Sequence, residues 1–402
     1  MPAATTLVDL GMHAVPIDLS TTYPARDSRR EAARLDMFAA GALEPGPPIY
    51  GRVGNLTVAR FERALAELEA CPAGVAFASG MAALSACLLA GVVAGRPHVV
   101  ALRPLYGSSD HLLDSGLLGT QVSWATPDTL YRELRDDTGL VVVETPANPT
   151  LAEVDLRAMA DTCGDTPLLV DNSFATPVLQ RPIEHGARIV LHSATKFLGG
   201  HGDVMGGILA CDEEYARRLR QIRTATGGLM HPLAGYLLLR GLATLPIRVR
   251  AASAAAAELA ARLAADRRVR RVCYPGLVED RPAGQMETGG ALVSFELDGD
   301  PHAVIAAVRL ITPAVSLGCV DTLIQHPASL SHHVVDPQDR HHGGISDKLL
   351  RLSVGLEDVE DLWADLDQAL SVGVRGTTTR ASERRGGAVS AGVAWKALDA
   401  LT

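Results

Sequence analysis

Between residues 80 and 211 the chain alternates short apolar runs with stretches of helical periodicity, and no other feature constrains the fold so tightly. The runs lie at 98–102, 121–125, 140–144, 168–171, 189–192 and 207–210. They are too short for helices and rich in Val and Leu. Most are apolar along their whole length, where a strand with one wet face would alternate with polar residues. Strands joined by helices make a mostly parallel sheet covered on both faces. The predicted class is therefore α/β, and ligands of such sheets bind beyond the carboxyl ends of the strands.

The flanking segments complete the plan. Residues 1–54 read as an irregular arm rich in Pro, Gly and Thr. A helix is expected over 56–70, where Val58, Phe61, Leu65 and Leu68 recur at helical spacing. A long helical region is expected over 232–267. After Pro275 the pattern changes to a strand at 291–297, a helix at 301–310, a strand at 349–354 and a helix at 359–370. These predict an arm (1–54), a large domain (55–245), a smaller C-terminal α+β domain (246–372) joined by the long helix, and a loose polar tail (373–402).

Composition narrows the function. The 402 residues carry a formal net charge of −9, which argues against a nucleic-acid surface. The six cysteines form no Cys-x-x-Cys pair, so neither a zinc ribbon nor a thioredoxin-like motif is expected. Their long spacings suit reduced thiols and a cytoplasmic protein. The start of the chain has no basic segment followed by an apolar run, so no signal peptide is expected. The most apolar stretch, 81–94, is shorter than the roughly 20 residues a membrane helix needs. The pairs His332–His333 and His341–His342 have adjacent side chains that diverge and no completing ligand at spacing, so no metal is expected.

Five places carry candidate chemistry. In Leu191-His-Ser193-Ala-Thr195-Lys196, a lysine follows a strand and two hydroxyls. This suits an amine that joins a cofactor aldehyde, with Ser193 and Thr195 on a phosphate, though a surface lysine after a strand reads the same way. Asp171 ends an apolar strand, where a protonated pyridine nitrogen would be a fitting partner and a turn cap is the alternative. Ser79-Gly80-Met81 opens a helix, either as a phosphate cradle or as a plain N-cap. Tyr106, after the 98–102 run, could stack on a flat ring or simply occupy a turn. Arg351, inside an apolar strand, needs a carboxylate, from a substrate or from a distant acid of the chain.

Taken together these segments resemble the Cys/Met-metabolism (transsulfuration) family of fold-type I, aspartate aminotransferase-like, PLP-dependent enzymes. The matching motifs run in the family's order. They are Tyr50-Gly-Arg52-Val-Gly-Asn, Ser79-Gly-Met, Glu144-Thr-Pro-Ala-Asn148-Pro, Asp171-Asn-Ser-Phe-Ala-Thr-Pro, Ser193-Ala-Thr-Lys196 with Gly200-His-Gly-Asp, Ser316-Leu-Gly, Gln325-His-Pro-Ala-Ser and Arg351-Leu-Ser-Val-Gly-Leu-Glu. The resemblance implies a pyridoxal 5'-phosphate cofactor held covalently on Lys196, with Asp171 on the pyridinium nitrogen and Tyr106 stacked on the ring. It places the phosphate on Ser79, Gly80, Met81, Ser193 and Thr195, joined by Tyr50 and Arg52 of a neighbouring subunit. Asn148, Ser316 and Arg351 would hold the substrate carboxylate. The implied assembly is a homotetramer built as a dimer of dimers.

The implied reaction is γ-elimination from a γ-substituted L-amino acid, with Lys196 moving protons and Tyr106 protonating the leaving group. A γ-replacement transferase, or elimination of an unusual group such as halide, are the alternatives. The intact Lys, Asp and Arg set argues against a non-catalytic PLP-binding protein. Segment 226–233 is similar to the methionine γ-lyase and sulfhydrylase branch. The chain departs from the family at Ser108-Ser109-Asp110-His111, where cystathionine enzymes carry an arginine at the position of His111 and methionine γ-lyases a cysteine at that of Ser108. Asp321 also stands where a glutamate is usual. These departures fall where the family meets the substrate side chain.

Overall fold

The computed structural model describes residues 13–41 and 48–379; the start of the expected arm and the tail beyond 379 lie outside them. Seven strands form the main sheet: β1 (Ala73–Phe77), β2 (His98–Leu102), β3 (Gln121–Ala125), β4 (Thr138–Glu144), β5 (Leu168–Asp171), β6 (Ile189–His192) and β7 (Gly207–Cys211), in the order β1-β7-β6-β5-β4-β2-β3. Only β7 runs against its neighbours. All the expected runs are strands, and β2, β4, β5, β6 and β7 are buried almost throughout. Helices cover both faces, as near-continuous apolar strands require.

Strand β1 escaped the sequence pattern because it is made of small residues, Ala-Gly-Val-Ala-Phe. Its glycine is a packing requirement. A Cβ on Gly74 would stand 2.4 Å from the Glu62 carbonyl, so the helix Leu56–Leu68 lies directly on the strand backbone.

A second sheet joins β8 (Val269–Cys273), β9 (Leu292–Leu297), β10 (Thr312–Pro313), β11 (Leu323–Gln325) and β12 (Leu349–Ser353) in the order β10-β11-β12-β9-β8. Helices Leu245–Ala265 and Val359–Thr379 pack on it through Leu259, Leu263, Leu362 and Leu366.

Three expectations are corrected. The arm is not wholly irregular: Ser28–Ala39 is a helix, N-capped by Asp27 through the N–H groups of Arg29 and Arg30. It is mostly polar, so hydrophobic spacing did not reveal it. The long helical region is two helices, Pro232–Leu242 and Leu245–Ala265, because Pro246 cannot continue a helix from the preceding turn and instead starts a new one. The last helix continues to Thr379, past the start of the expected loose tail. Among the described residues no helix is long and apolar enough to cross a membrane.

Candidate active site

Strands β4, β5 and β6 run parallel and end level with one another, pairing Glu144 with Asp171 and Asp171 with Leu191. This brings two carboxylates side by side at the carboxyl edge of the sheet. Lys196 follows β6 in the adjoining turn, and β12 of the small sheet delivers Arg351 to the same place. The residues surround one cavity of about 540 Å³, in the range of small-molecule sites. Ser79, Gly80, Met81, Tyr106, Asn148, Asp171, Ser193, Thr195, Lys196, Ser316 and Arg351 all line it.

Lys196 Nζ donates to Ser316 Oγ at 2.7 Å. Burial, and then the nearby Arg351 charge, bring its amine down from the ordinary lysine value to about 8, so a useful fraction is neutral and nucleophilic near neutrality. Ser316 adopts a left-handed conformation (φ 85°), which costs a non-glycine residue about 1 kcal/mol or more. The Arg351 Nη2 donates to its carbonyl at 2.8 Å and helps hold it there.

Arg351 Nη1 donates to Asn148 Oδ1 at 2.7 Å, and Gln325 satisfies the same guanidinium when its amide oxygen turns inward, 3.1 Å from Nη1. Every one of these acceptors is neutral. Burial lowers the arginine to about 10. No carboxylate of the described residues is hydrogen-bonded to it. A buried cation on neutral acceptors is an anion receptor, and the fork geometry favours a carboxylate.

Asp171 is half-buried at the cavity wall, and desolvation raises its carboxyl above the ordinary aspartate range. Its Oδ1 accepts from the Ser173 N–H at 3.0 Å, and among the described residues no cation forms an ion pair with it.

At the other end of the cavity the helix Gly80–Val93 begins. Ser79 caps it by accepting from the Ala82 N–H, and the first intrahelical bond runs from Ala83 N to the Ser79 carbonyl. The N–H groups of Gly80 and Met81 precede that bond and form a ready anion cradle. Gly80 cannot be larger without strain, because its Cβ would lie 3.1 Å from Ser193 Cβ. The Thr195 hydroxyl is engaged with Gly206, accepting from its N–H at 3.0 Å.

Tyr106 stands at the N-terminus of a helix, Gly107–Asp114, rather than in an open loop. Its N–H donates to Glu144 Oε2 at 2.8 Å and its ring lines the cavity. Tyr50 and Arg52 do not reach this cavity. Arg52 lies over the Tyr50 ring and donates to the Thr224 carbonyl, at the exposed surface.

The residues that depart from the family pattern divide. Ser108 and Ser109 face the cavity. Asp110 turns away to pair with Arg103 (2.7 Å), which also holds Asp339 and stacks on Trp124, so its work is to fix the helix that carries the serines. Neither His111 nor Asp321 lines the cavity.

Sequence reasoning gave no role to Glu144 or Gln325, nor to the apolar wall formed by Met205, Val315, Leu330 and Val334. For Glu144 a signal was present, since it ends an apolar strand in the same way as Asp171. The wall had none, because its residues come from three segments distant in sequence, around Met205, Val315 and the 330–334 turn.

These groups fit pyridoxal 5'-phosphate: an amine of lowered basicity, a half-buried carboxylate without an ion-pair partner among the described residues, an N-terminal anion cradle and an aromatic residue share one cavity. The family described as Cys/Met metabolism PLP-dependent enzyme matches residues 4–371. An L-methionine γ-lyase of Streptomyces avermitilis is 71% identical over 361 residues, covering 90% of this chain and 85% of that protein. One of Brevibacterium sandarakinum is 54% identical over 373 residues, covering 90% and 94%. Among solved structures, a cystathionine γ-lyase of Lactobacillus plantarum complexed with L-serine superposes with a TM-score of 0.82 at 30% identity, covering 92% of this chain and 99% of that one. The chain therefore belongs to the Cys/Met metabolism family of PLP-dependent enzymes, with the fold-type I architecture, pyridoxal 5'-phosphate as cofactor and γ-elimination as its reaction.

Proposed function

We propose that the chain is an L-methionine γ-lyase, converting methionine and water to methanethiol, ammonia and 2-oxobutanoate. The observation that carries this reading is the distribution of charge in the cavity. Its ionic groups, Glu144, Asp171, Lys196 and Arg351, come from the strands and the turn after β6, while Met205, Val315, Leu330 and Val334 add an apolar lining that holds no carboxylate. An uncharged thioether suits that wall. The distal ammonium of cystathionine would find no carboxylate among these residues. The named relatives point the same way.

Pyridoxal phosphate supplies an aldehyde that captures amines and a conjugated ring that takes up the electron pair left by a departing α-proton. The chain's residues do the rest. Lys196 would hold the cofactor aldehyde through its amine and would take the substrate α-proton. Its lowered basicity makes it able both to accept and to release that proton. Asp171 keeps the ring nitrogen protonated. Arg351, Asn148 and Ser316 hold the α-carboxylate and so turn the Cα–H bond toward Lys196. Tyr106, on the cavity wall, would help hold the cofactor and would protonate the leaving thiolate. Ser79, Gly80, Met81, Ser193 and Thr195 take the phosphate.

Tyr50 and Arg52, exposed on this chain, complete the phosphate site of a second copy, in a homotetramer built as a dimer of dimers. The apolar residues at the cavity mouth, Met205 (68% exposed) and Val315 (57% exposed), are then covered by that copy. The enzyme works in the cytoplasm.

The test is release of 2-oxobutanoate from methionine, cystathionine and O-acetylhomoserine, together with formation of a thioether amino acid when a thiol is added. Methionine should be turned over without a second thiol and in preference to cystathionine. Turnover confined to the homoserine ester plus thiol would replace this reading with a transferase.

A further inference from the structure

Glu144 is the one cavity carboxylate to which this mechanism gives no role. Its position is unfavourable. It is 6% exposed, lies beside Asp171 in register, and burial together with that neighbour pushes its carboxyl well above the ordinary glutamate range. An apolar residue at the end of β4 would avoid both penalties. Its hydrogen bonds show what the position gives in return. Oε1 accepts from the Asn148 N–H at 3.1 Å, and Oε2 accepts from the Tyr106 N–H at 2.8 Å, so the carboxylate is pinned at both oxygens and cannot turn. From Asn148 the contacts continue without a gap. Asn148 Oδ1 accepts from Arg351 Nη1, Arg351 Nη2 donates to the Ser316 carbonyl, and Ser316 Oγ accepts from Lys196.

We propose that Glu144 is a positioning residue: anchored by the Tyr106 N–H, it holds the Asn148 backbone and through the Asn148 side chain sets the Arg351 fork that receives the substrate carboxylate. The inference rests on the proposed use of Arg351. It assigns Glu144 no contact with substrate and no proton transfer. Two acceptor oxygens on one planar group are what the site needs, because Asn148 and Tyr106 approach it from different loops. A neutral apolar side chain would leave both N–H groups unpaired and Asn148 free to drift, and a displacement of an ångström in such a group is enough to weaken binding severely.

The experiment uses the holoenzyme and two unreactive probes. L-Norleucine has no leaving group at Cγ, and pentylamine is the same molecule without its carboxylate. Binding of each is followed by the change in coenzyme absorbance, in the native enzyme and in Glu144→Met, which has similar length and no acceptor oxygen. Norleucine binding should weaken about tenfold or more, the equivalent of about 1.4 kcal/mol, while pentylamine binding stays within about twofold. Equal weakening of both probes, or no weakening of norleucine, would overturn the proposal, since a general disturbance of the site does not distinguish a carboxylate. If Glu144→Met does not fold, Glu144→Gln serves instead. It keeps one acceptor and should show the same selectivity at about threefold or more, and its absence would count against the proposal equally. Native enzyme that bound neither probe would refute the proposed use of the site rather than this inference.

Discussion

Replacing Arg351 by leucine and, separately, by lysine separates two effects of one guanidinium. The side chain is buried and its bonded partners are the neutral oxygens of Asn148 (2.7 Å) and Ser316 (2.8 Å), so its charge remains available to a ligand carboxylate. A charge-assisted hydrogen bond contributes about 1.5–3 kcal/mol, and a fork makes two. Leucine removes both, so kcat/KM for methionine should fall by about 10²–10⁴-fold. Lysine keeps the charge and can restore about one bond, so its loss should be nearer 10- to 100-fold.

The second effect is on Lys196, which burial first and the Arg351 charge second bring down to about 8. Only the neutral amine attacks an aldehyde. Capture of pyridoxal phosphate by the apoprotein should therefore rise with pH through a midpoint near 8 in the native chain. Removing a positive neighbour raises the amine's basicity. In Arg351→Leu the midpoint should move to higher pH and capture at neutrality should slow, whereas Arg351→Lys should leave the midpoint in place. Stopped-flow absorbance across pH measures this, and steady-state thiol release measures the first effect. A leucine variant that kept kcat/KM within tenfold of native, or whose midpoint stayed or fell, would refute the reasoning.

Two further outcomes follow from particular contacts. Asp171→Asn puts a neutral amide where a half-buried carboxylate now stands, so the variant should lose coenzyme colour on dialysis and release thiol at least about a hundredfold more slowly; a retained band and native rate would contradict the assignment. Gly107→Ala would place a Cβ 2.1 Å from the Ser331 carbonyl, backbone against backbone, and should lower stability by about 1–3 kcal/mol in urea titration; a change under about 0.5 kcal/mol would show that the wall can yield without cost.

Much of the fold was legible because strand burial is a local property. The runs ending at Leu102, Asp171 and His192 coincide with β2, β5 and β6, since a strand covered on both faces must be apolar residue by residue. Where the local signal was weak, reading failed. Strand β1 is made of small residues, the helix Ser28–Ala39 is too polar to announce a buried face, and β10 and β11 are two and three residues long. Tyr106 was legible as a candidate, but its place at a helix start was not, because that helix is fixed by the Arg103–Asp110 pair and by Glu144.

The residues alone determined which groups could do chemistry: a lysine, an aspartate and an arginine, each in or just after an apolar strand, can only be kept where partners wait for them. What they cannot encode locally is which of those groups meet. Lys196 and Ser316 are 120 positions apart and Arg351 and Asn148 are 203 apart, and each pair closes to 2.7 Å only when the small sheet docks over the strand ends. Side-chain periodicity acts over a few residues, whereas convergence of loops depends on the packing of whole layers, so the Arg351 receptor, the apolar wall and the anchoring by Glu144 belong to the tertiary structure alone.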